Sequence, residues 1–411
     1  MARCLAPDMA VWGNRAGERT RSPALGTPVS TAVPDRHGRV PGTGRGRIGR
    51  SLEDGPRLAA VIPHAFGRSD PLTLGIEEEL FVVDPATLAP VPAPPGLLDG
   101  TRLKAELHAA VVELNTRVCT TAAEVADELG ALRALAKEGA AASSLSVAAA
   151  ATWPPAVPED QAVTPEPGYL KFVDYAGPSA RRQFCAGLHV HVGLETPEAC
   201  MRALEAVLPW LPLVLALSAN SPYLAGAETG LASARAEILA LLPRSAAPPV
   251  FRDYDAWARF ADRLVELGLA DSHRRIWWDV RPSPDFGTLE IRTPDQPTSV
   301  EVTVALAALL QAMVAGLAAD GPADRGIYAQ NRWAALRFGA QAELVHPDGG
   351  RLLRAPALLD ELVQTIQPAV ERLGTGDLIA PLGEAGEANQ QLELGRRQGT
   401  DALCRHLIRS T

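Results

Sequence analysis

Residues 72–84, LTLGIEEELFVVD, are the part of the sequence that decides the fold. The segment is rich in apolar and β-branched residues and stops at the turn-forming pair Asp84-Pro85, a pattern that predicts a β-strand. Side chains alternate between the two faces of a strand, so Glu77 and Glu79 share one face while Ile76 points to the other. The strand is therefore expected to be ionic on one side and to contact a core on the other.

Two later segments repeat this arrangement. His189 and His191 alternate with Leu and Val, and Glu290 and Arg292 alternate with Leu and Ile. A further carboxylate, Glu113, lies in an apolar segment that also has strand character. Each of these segments is thus predicted to present ionic side chains on one face of a sheet.

Carboxylates and imidazoles spaced two apart on several strands are typical of a metal–phosphate site. Mg²⁺ takes hard oxygen ligands and completes its shell with water and phosphate oxygens, and clustered carboxylates repel one another unless cations separate them. The ordinary alternative for any one pair is the solvated face of a half-exposed sheet. The combination of acidic, imidazole and Glu-x-Arg pairs favours a site.

Composition restricts the class of protein. The chain has 411 residues, 47% of them hydrophobic, and a net charge of −9, which argues against a nucleic-acid partner. The five cysteines form no CxxC pair, which fits a reduced, cytoplasmic setting. We expect no membrane span, because the most apolar run, residues 204–219, is short and contains Pro209 and Pro212.

The chain divides into two regions by composition. Residues 1–70 are rich in Arg, Gly, Pro, Ser and Thr and are predicted to be a disordered extension, and residues 71–411 are predicted to form a single catalytic domain. Strands are separated by helices of unequal length without βαβ regularity, which indicates an α+β fold. The predicted helices span residues 121–142, 196–219, 252–267, 299–319 and 358–373, and Thr121 and Thr196 are the expected N-caps of the first two.

Seven segments, in this order, resemble the type 2 glutamate–cysteine ligase family, whose members are carboxylate–amine ligases. They are GIEEELFVVD (75–84), VELNTRVC (112–119), GLHVHVGL (187–194), ALSANSPYLAG (216–226), TGLASARAEI (229–238), WWDVRPSPDFGTLEIRTPD (277–295) and NRWAALRFGAQAEL (331–344). The resemblance covers residues 72–345 well and the C-terminal part loosely. Any one motif is moderately specific, but the ordered set is strong.

This resemblance implies a glutamine-synthetase-like fold, in which a curved antiparallel sheet forms a funnel with helices packed outside. It implies that ATP phosphorylates the carboxylate of glutamate or a similar acid, and that an amine then displaces phosphate from the acyl phosphate. Arg292, beside Glu290, is implied to be the catalytic arginine facing the transferred phosphoryl group. The family also suggests a homodimer. The residues implied to surround Mg²⁺ and the ATP phosphates are Glu77, Glu79, Glu113, His189 and Glu290.

The remaining assignments are weaker. Arg235 and His191 are predicted to contact the amino-acid substrate, and Arg281, Asn331 and Arg332 are predicted to contact the nucleotide. A surface arginine or a helix surface explains several of them equally well. The sequence also departs from the family: Gln330 stands where relatives often carry Glu, and residues 384–397 fit the family pattern poorly.

Two other functions remain open from the sequence. A metal-dependent hydrolase or phosphatase would use the same carboxylates and the His-x-His pair, and dependence on a transition metal without ATP turnover would identify it. A degenerate, non-catalytic nucleotide-binding member of the family is the other alternative. The intact acidic, imidazole and Glu-x-Arg pairs argue against it, whereas Gln330 and the atypical C-terminal stretch favour it.

Overall fold

The computed structural model describes residues 62–383 and 386–411, and its centre is a seven-stranded antiparallel sheet. The order of the strands across this sheet is β10-β11-β5-β1-β3-β2, and β4 pairs with the end of β1. The strands of the described residues are β1 (Leu74–Val83), β2 (Leu103–Ala105), β3 (Val111–Asn115), β4 (Ser146–Ala148), β5 (Leu188–Gly193), β6 (Tyr223–Leu224), β7 (Ala227–Glu228), β8 (Ser245–Ala246), β9 (Trp277–Trp278), β10 (Val280–Ser283), β11 (Thr288–Ile291), β12 (Glu343–Val345) and β13 (Leu352–Arg354).

Helices cover the apolar face of the sheet, and the predicted α+β class is confirmed. The helices are α1 (Ala122–Ala141), α2 (Pro167–Ala176), α3 (Pro178–Arg181), α4 (Pro197–Val207), α5 (Leu211–Ser218), α6 (Ala234–Leu239), α7 (Tyr254–Glu266), α8 (Val300–Gly316), α9 (Arg325–Phe338), α10 (Ala355–Thr365), α11 (Gln367–Leu373), α12 (Gly376–Ile379), α13 (Glu387–Gln398) and α14 (Thr400–Ser410). The apolar faces of β1, β5 and β11 form one buried cluster with α4, α5 and α8. Each fully buried aliphatic side chain there contributes about 1.5–3 kcal/mol.

Local sequence signals account for the helix ends. The hydroxyls of Thr121 and Thr196 accept hydrogen bonds from backbone N–H groups in the first turns of α1 and α4, as predicted. The predicted helix 358–373 is instead two helices that meet at Ile366. Pro368 follows this break, and its missing N–H cannot continue the helical ladder.

The domain begins before the predicted boundary at residue 71. Ile62 and Phe66 are buried in the main core, and the N–H of Gly67 donates to the carbonyl of Leu194 at 3.1 Å. The prediction of a disordered extension is therefore wrong for residues 62–70, because these apolar side chains have core partners that only the folded chain provides. Residues 1–61 lie outside the described residues.

An ion pair is buried on the side of β1 that the alternation predicted to be apolar. Glu78 and Arg133 are 0% and 2% exposed, and their carboxylate and guanidinium pair through two hydrogen bonds of 2.6 and 2.8 Å. Gln296 and Thr303 also donate to Glu78. Helix α1 and the segment before α8 are thereby joined to the middle of β1.

One helical run among the described residues, Pro197–Ser218, is long and apolar enough to cross a membrane by length and composition alone. Within its most apolar window, 78% is buried inside the protein. The apolar surface of this run is therefore used by the core.

Candidate active site

The pairing register aligns the ionic side chains into one stripe across the sheet. Glu77 on β1 lies opposite His189 on β5, and His191 lies opposite Glu290 on β11, which in turn faces Arg281 on β10. On the other side of β1, Glu79 lies opposite Glu113 and Glu77 opposite Asn115. Because the side-chain period of a strand is two, this register sends all of these groups to one face.

The stripe forms the floor of a cavity of about 560 Å³, with a smaller cavity of about 120 Å³ beside it. Glu79, His189 and Arg292 line both cavities. The predicted residues Glu77, Glu113, His191, Arg281 and Glu290 all line the larger one. Sequence alternation therefore identified one continuous surface.

The first potential ligand group consists of Glu77, His191 and Glu290, each of which offers one atom within 4.8 Å of the others. His191 Nδ1 lies 2.8 Å from the hydroxyl of Thr288, and its Nε2 lies 3.5 Å from Glu77 Oε1. Burial would lower the pKa of His191, but the contact of its ring with the Glu77 carboxylate and the charge of Glu290 raise it. This imidazole is thus held among acidic groups.

His189 lies beside Glu77 in the same cavity. Its Nδ1 lies 3.0 Å from Glu77 Oε2, and burial together with the nearby charge of Arg292 lowers its pKa to about 4. A neutral ring next to a carboxylate carries its proton on Nδ1 and donates to Glu77. The compact ligand group contains His191, and His189 contacts one of its members, Glu77.

The second potential ligand group consists of Glu79, Glu113 and Glu106, again with one oxygen of each within 4.8 Å of the others. Burial raises the pKa of Glu79 to about 7, although Arg235 and a hydrogen bond from Gly187 N–H act in the opposite direction. Burial and the charges of Glu113 and Glu79 also raise the pKa of Glu106.

Glu106 was not predicted as a site residue. It follows the short strand β2, where Lys104 lies opposite Glu113. The signal was present in the sequence, since residues 104 and 106 share the two-residue spacing of the other pairs.

Two arginines form hydrogen-bonded ion pairs with Glu290. The guanidinium of Arg281 forms two hydrogen bonds to the Glu290 carboxylate, of 2.7 and 3.0 Å, and Arg292 Nη1 lies 2.5 Å from Oε1. Burial by itself would raise the pKa of Glu290, but the charges of Arg281 and Arg292 hold it well below its ordinary value. This end of the funnel is therefore cationic, whereas the Glu106 end is acidic.

Asn331 and Arg332, predicted to contact the nucleotide, line neither cavity. Arg332 is buried and donates to Asp279 at 2.7 Å, while Asn331 exchanges two hydrogen bonds with the backbone of Val345. The contacts of both side chains attach α9 to its neighbours and place neither of them at the cavities that hold the ionic stripe. Arg281 does line the larger cavity, and Arg235 lines the smaller one.

The chemistry of these ligand groups fits hard divalent cations. Five carboxylates and one imidazole are gathered in two groups, and few cations of the protein face Glu79, Glu106 and Glu113. Burial raises the pKa of each of these three, so a divalent cation would relieve an electrostatic cost that the protein itself leaves in place. Oxygen-rich groups of this kind suit Mg²⁺.

Solved structures show which fold this is. The glutamate–cysteine ligase of Francisella tularensis, solved in complex with AMP, superposes with a TM-score of 0.62 at 14% identity, over 83% of this chain and 88% of that one. A bifunctional glutathione synthetase from Pasteurella multocida gives 0.55 at 11% identity, over 83% of this chain and 50% of that one. The fold is that of the glutamine-synthetase-like ligases, as expected.

Sequence comparison gives the family. The model of glutamate–cysteine ligase family 2 matches residues 73–405. A relative from Rubrobacter xylanophilus, named as a glutamate–cysteine ligase 2-3, is 37% identical over 84% of this chain and 99% of its own length. The glutamate–cysteine ligase of Haloquadratum walsbyi is 34% identical over 82% of this chain and 96% of its own length. The chain belongs to glutamate–cysteine ligase family 2, and is a ligase of that type.

Proposed function

We propose that this protein is an ATP- and Mg²⁺-dependent ligase that activates the side-chain carboxylate of glutamate, or of a similar acid, and couples it to an amine. The observation that carries this proposal is the presence of two acidic ligand groups and a pair of arginines on one sheet face. Neighbouring members of the two groups, Glu77 and Glu79, are two residues apart on β1, about 7 Å along the strand. That spacing suits a polyphosphate.

The proposed roles follow from the charges. Glu77, His191 and Glu290 would hold one cation, and Glu79, Glu106 and Glu113 another, and bound Mg²⁺ would neutralise charge on the phosphate oxygens. Arg292 stabilises the negative charge that builds up on the transferred phosphoryl group. His189 orients Glu77 through the 3.0 Å contact between Nδ1 and Oε2. Transfer to the acid gives an acyl phosphate, and the amine then displaces phosphate.

Positioning supplies much of the remaining rate, because the acid and ATP must meet in line. In the sheet, β1, β3, β5 and β11 are each hydrogen-bonded to at least two neighbouring strands, which fixes the relative positions of their ionic side chains. No serine or cysteine nucleophile is required. Burial raises the pKa of Cys185, the cysteine in the smaller cavity, to about 12, so its thiol stays protonated.

The test is ADP release from ATP in the presence of Mg²⁺, with amino acids supplied singly and in pairs. Release that requires L-glutamate and increases with one particular amine would support the ligase and identify its acceptor. Phosphate release from phosphoesters with a transition metal, and without ATP, would favour the hydrolase instead. ATP binding without turnover for every pair would favour a non-catalytic member of the family.

A further inference from the structure

The smaller cavity is lined by apolar side chains and by a few polar ones. It opens into the funnel at Glu79 and Arg292, so a ligand in it would reach the acidic group and the cationic end together. Its volume of about 120 Å³ suits a compact head group. Polar groups on its wall include Gln183 and Arg235, and its apolar residues include Leu107, Val111, Phe172 and Leu242.

Gln183 presents a hydrogen-bond acceptor of fixed orientation. Its Nε2 donates to the carbonyls of Ser179 and Ile238, at 2.8 and 3.0 Å. A flipped carboxamide would set Oε1 against both carbonyl oxygens, so the two hydrogen bonds fix the assignment of oxygen and nitrogen. Gln183 is 8% exposed, and its Oε1 has no hydrogen-bond partner in residues 62–383 or 386–411. Buried polar atoms rarely lack a hydrogen-bond partner, so Gln183 Oε1 requires a donor from a ligand.

Arg235 supplies hydrogen-bond donors, where Gln183 supplies an acceptor. It is 2% exposed, and its guanidinium donates to the carbonyls of Arg292 and Thr293 at 3.1 and 3.4 Å. Arg235 Nη1 also lies 3.7 Å from Oδ1 of the buried Asp295. The fork has five N–H groups, so donors beyond these contacts remain for an anion, for which the planar guanidinium is well suited. Gly187 makes this position possible, because a Cβ there would collide with the guanidinium.

We propose that this cavity recognises the amino-acid head group of the acid that is activated: Gln183 Oε1 accepts a hydrogen bond from its α-ammonium group, and Arg235 binds its α-carboxylate. The side-chain carboxylate then extends to the end of the cavity at Glu79 and Arg292. Gln183 is thus a specificity-determining residue, selecting acids with a free α-amino group. This inference rests on the proposed function, since it concerns the acid in that reaction.

The assignment of Gln183 to the α-ammonium group and of Arg235 to the α-carboxylate follows from which groups can donate and which can accept hydrogen bonds. A glutamine oxygen can only accept and an arginine can only donate, so the ligand must offer a donor and an anion close together. An α-amino acid does so.

The experiment compares L-glutamate with glutarate, which lacks the α-amino group. Binding of each is measured by isothermal titration calorimetry to the full chain in the presence of Mg²⁺ and a non-hydrolysable ATP analogue. We expect the native protein to prefer L-glutamate by roughly ten- to hundredfold, as for a hydrogen bond to a charged group. In Gln183→Met the preference should fall to within about threefold, with the affinity for glutarate nearly unchanged. An equal preference in the two proteins would overturn the assignment.

Two further variants separate recognition from folding. Gln183→Glu keeps an acceptor oxygen, and its protonated form can still donate to one carbonyl, so it should retain most of the preference. Gln311→Met is the matched control, because Gln311 is also buried and donates its amide to a carbonyl, that of Leu72 at 2.7 Å, but lines neither cavity. It should lower stability and leave the preference intact. If Gln183→Met does not fold, loss of the preference in Gln183→Glu, or its absence from the native protein, would refute the proposal.

Failure of this inference can be told from failure of the ligase proposal. Preferential binding of L-glutamate without ADP release would leave the cavity assignment standing and remove the proposed reaction. Glutamate-dependent ADP release with an unchanged preference in Gln183→Met would support the reaction and remove the role of Gln183.

Discussion

Substitution of Glu78 by Gln should destabilise the fold severely, although Glu78 lies outside the funnel. The carboxylate accepts hydrogen bonds from Arg133 at 2.6 and 2.8 Å, from Gln296 at 2.9 Å and from Thr303 at 2.7 Å. Removing its charge leaves the Arg133 guanidinium buried without its hydrogen-bonded counter-ion, which costs about 3–5 kcal/mol. A domain is typically stable by only about 5–15 kcal/mol, so this loss is large.

The assay is the free energy of unfolding from urea titration, with Glu205→Gln as the matched control. Glu205 also forms a two-hydrogen-bond pair, with Arg325, but these side chains are 13% and 21% exposed. Because solvent reaches this pair in part, its loss should cost less, about 1 kcal/mol. A loss for Glu78→Gln no larger than that for Glu205→Gln would refute the reasoning. The double variant Glu78→Leu with Arg133→Met should recover part of the loss, because no charge then remains buried.

The same pair sets a dependence on pH. Burial would raise the pKa of Glu78, but the charge and hydrogen bonds of Arg133 lower it below the ordinary value. A carboxyl group whose pKa is lowered on folding contributes stability above its unfolded pKa, and this contribution is lost as the pH falls through the folded pKa. The difference in stability between the native protein and Glu78→Gln should therefore shrink in acid, and a constant difference would contradict this account.

Four other variants test the site and the domain boundary. Glu290→Gln should abolish ADP release and leave the circular dichroism spectrum unchanged; full activity would remove Glu290 from the site. Glu106→Gln should raise the Mg²⁺ concentration for half-maximal ADP release at least several-fold, because one ligand oxygen of the second group is lost, and an unchanged requirement would count against that group. Arg332→Met should lower the melting temperature without changing the KM for ATP, since Arg332 pairs with Asp279; a selective rise in KM would restore its predicted role. Deletion of residues 1–60 should alter neither activity nor melting temperature, and a large fall in either would show that the extension contributes.

Strand assignments succeeded because they depend on local sequence. Alternation of ionic and apolar residues fixed which side chains of β1, β5 and β11 share a face, since that period is a property of the backbone. Glu77, Glu79, His191 and Glu290 were therefore correctly predicted to face one surface. Helix starts at Thr121 and Thr196 were likewise local, because a capping hydroxyl reaches only the first turn.

Assignments on helices were less successful. Arg332 was predicted to contact the nucleotide from its motif, but its partner Asp279 is 53 residues away in sequence. Glu78 was grouped with the apolar positions of β1, because no local pattern indicates that Arg133 on α1 would be placed against it. Such pairs form only when distant elements pack together.

The sequence by itself thus determined the ionic face of the sheet, the helix caps and the resemblance to the family, all of which follow from short-range periodicity and ordered motifs. Only the tertiary structure decided that Glu106 joins Glu79 and Glu113, that His191 rather than His189 belongs to the compact ligand group, and that Gln183 Oε1 lacks a partner. The physical reason is that strand register and helix packing set distances between residues far apart in the chain, and those distances determine which charges are paired and which are left for a ligand.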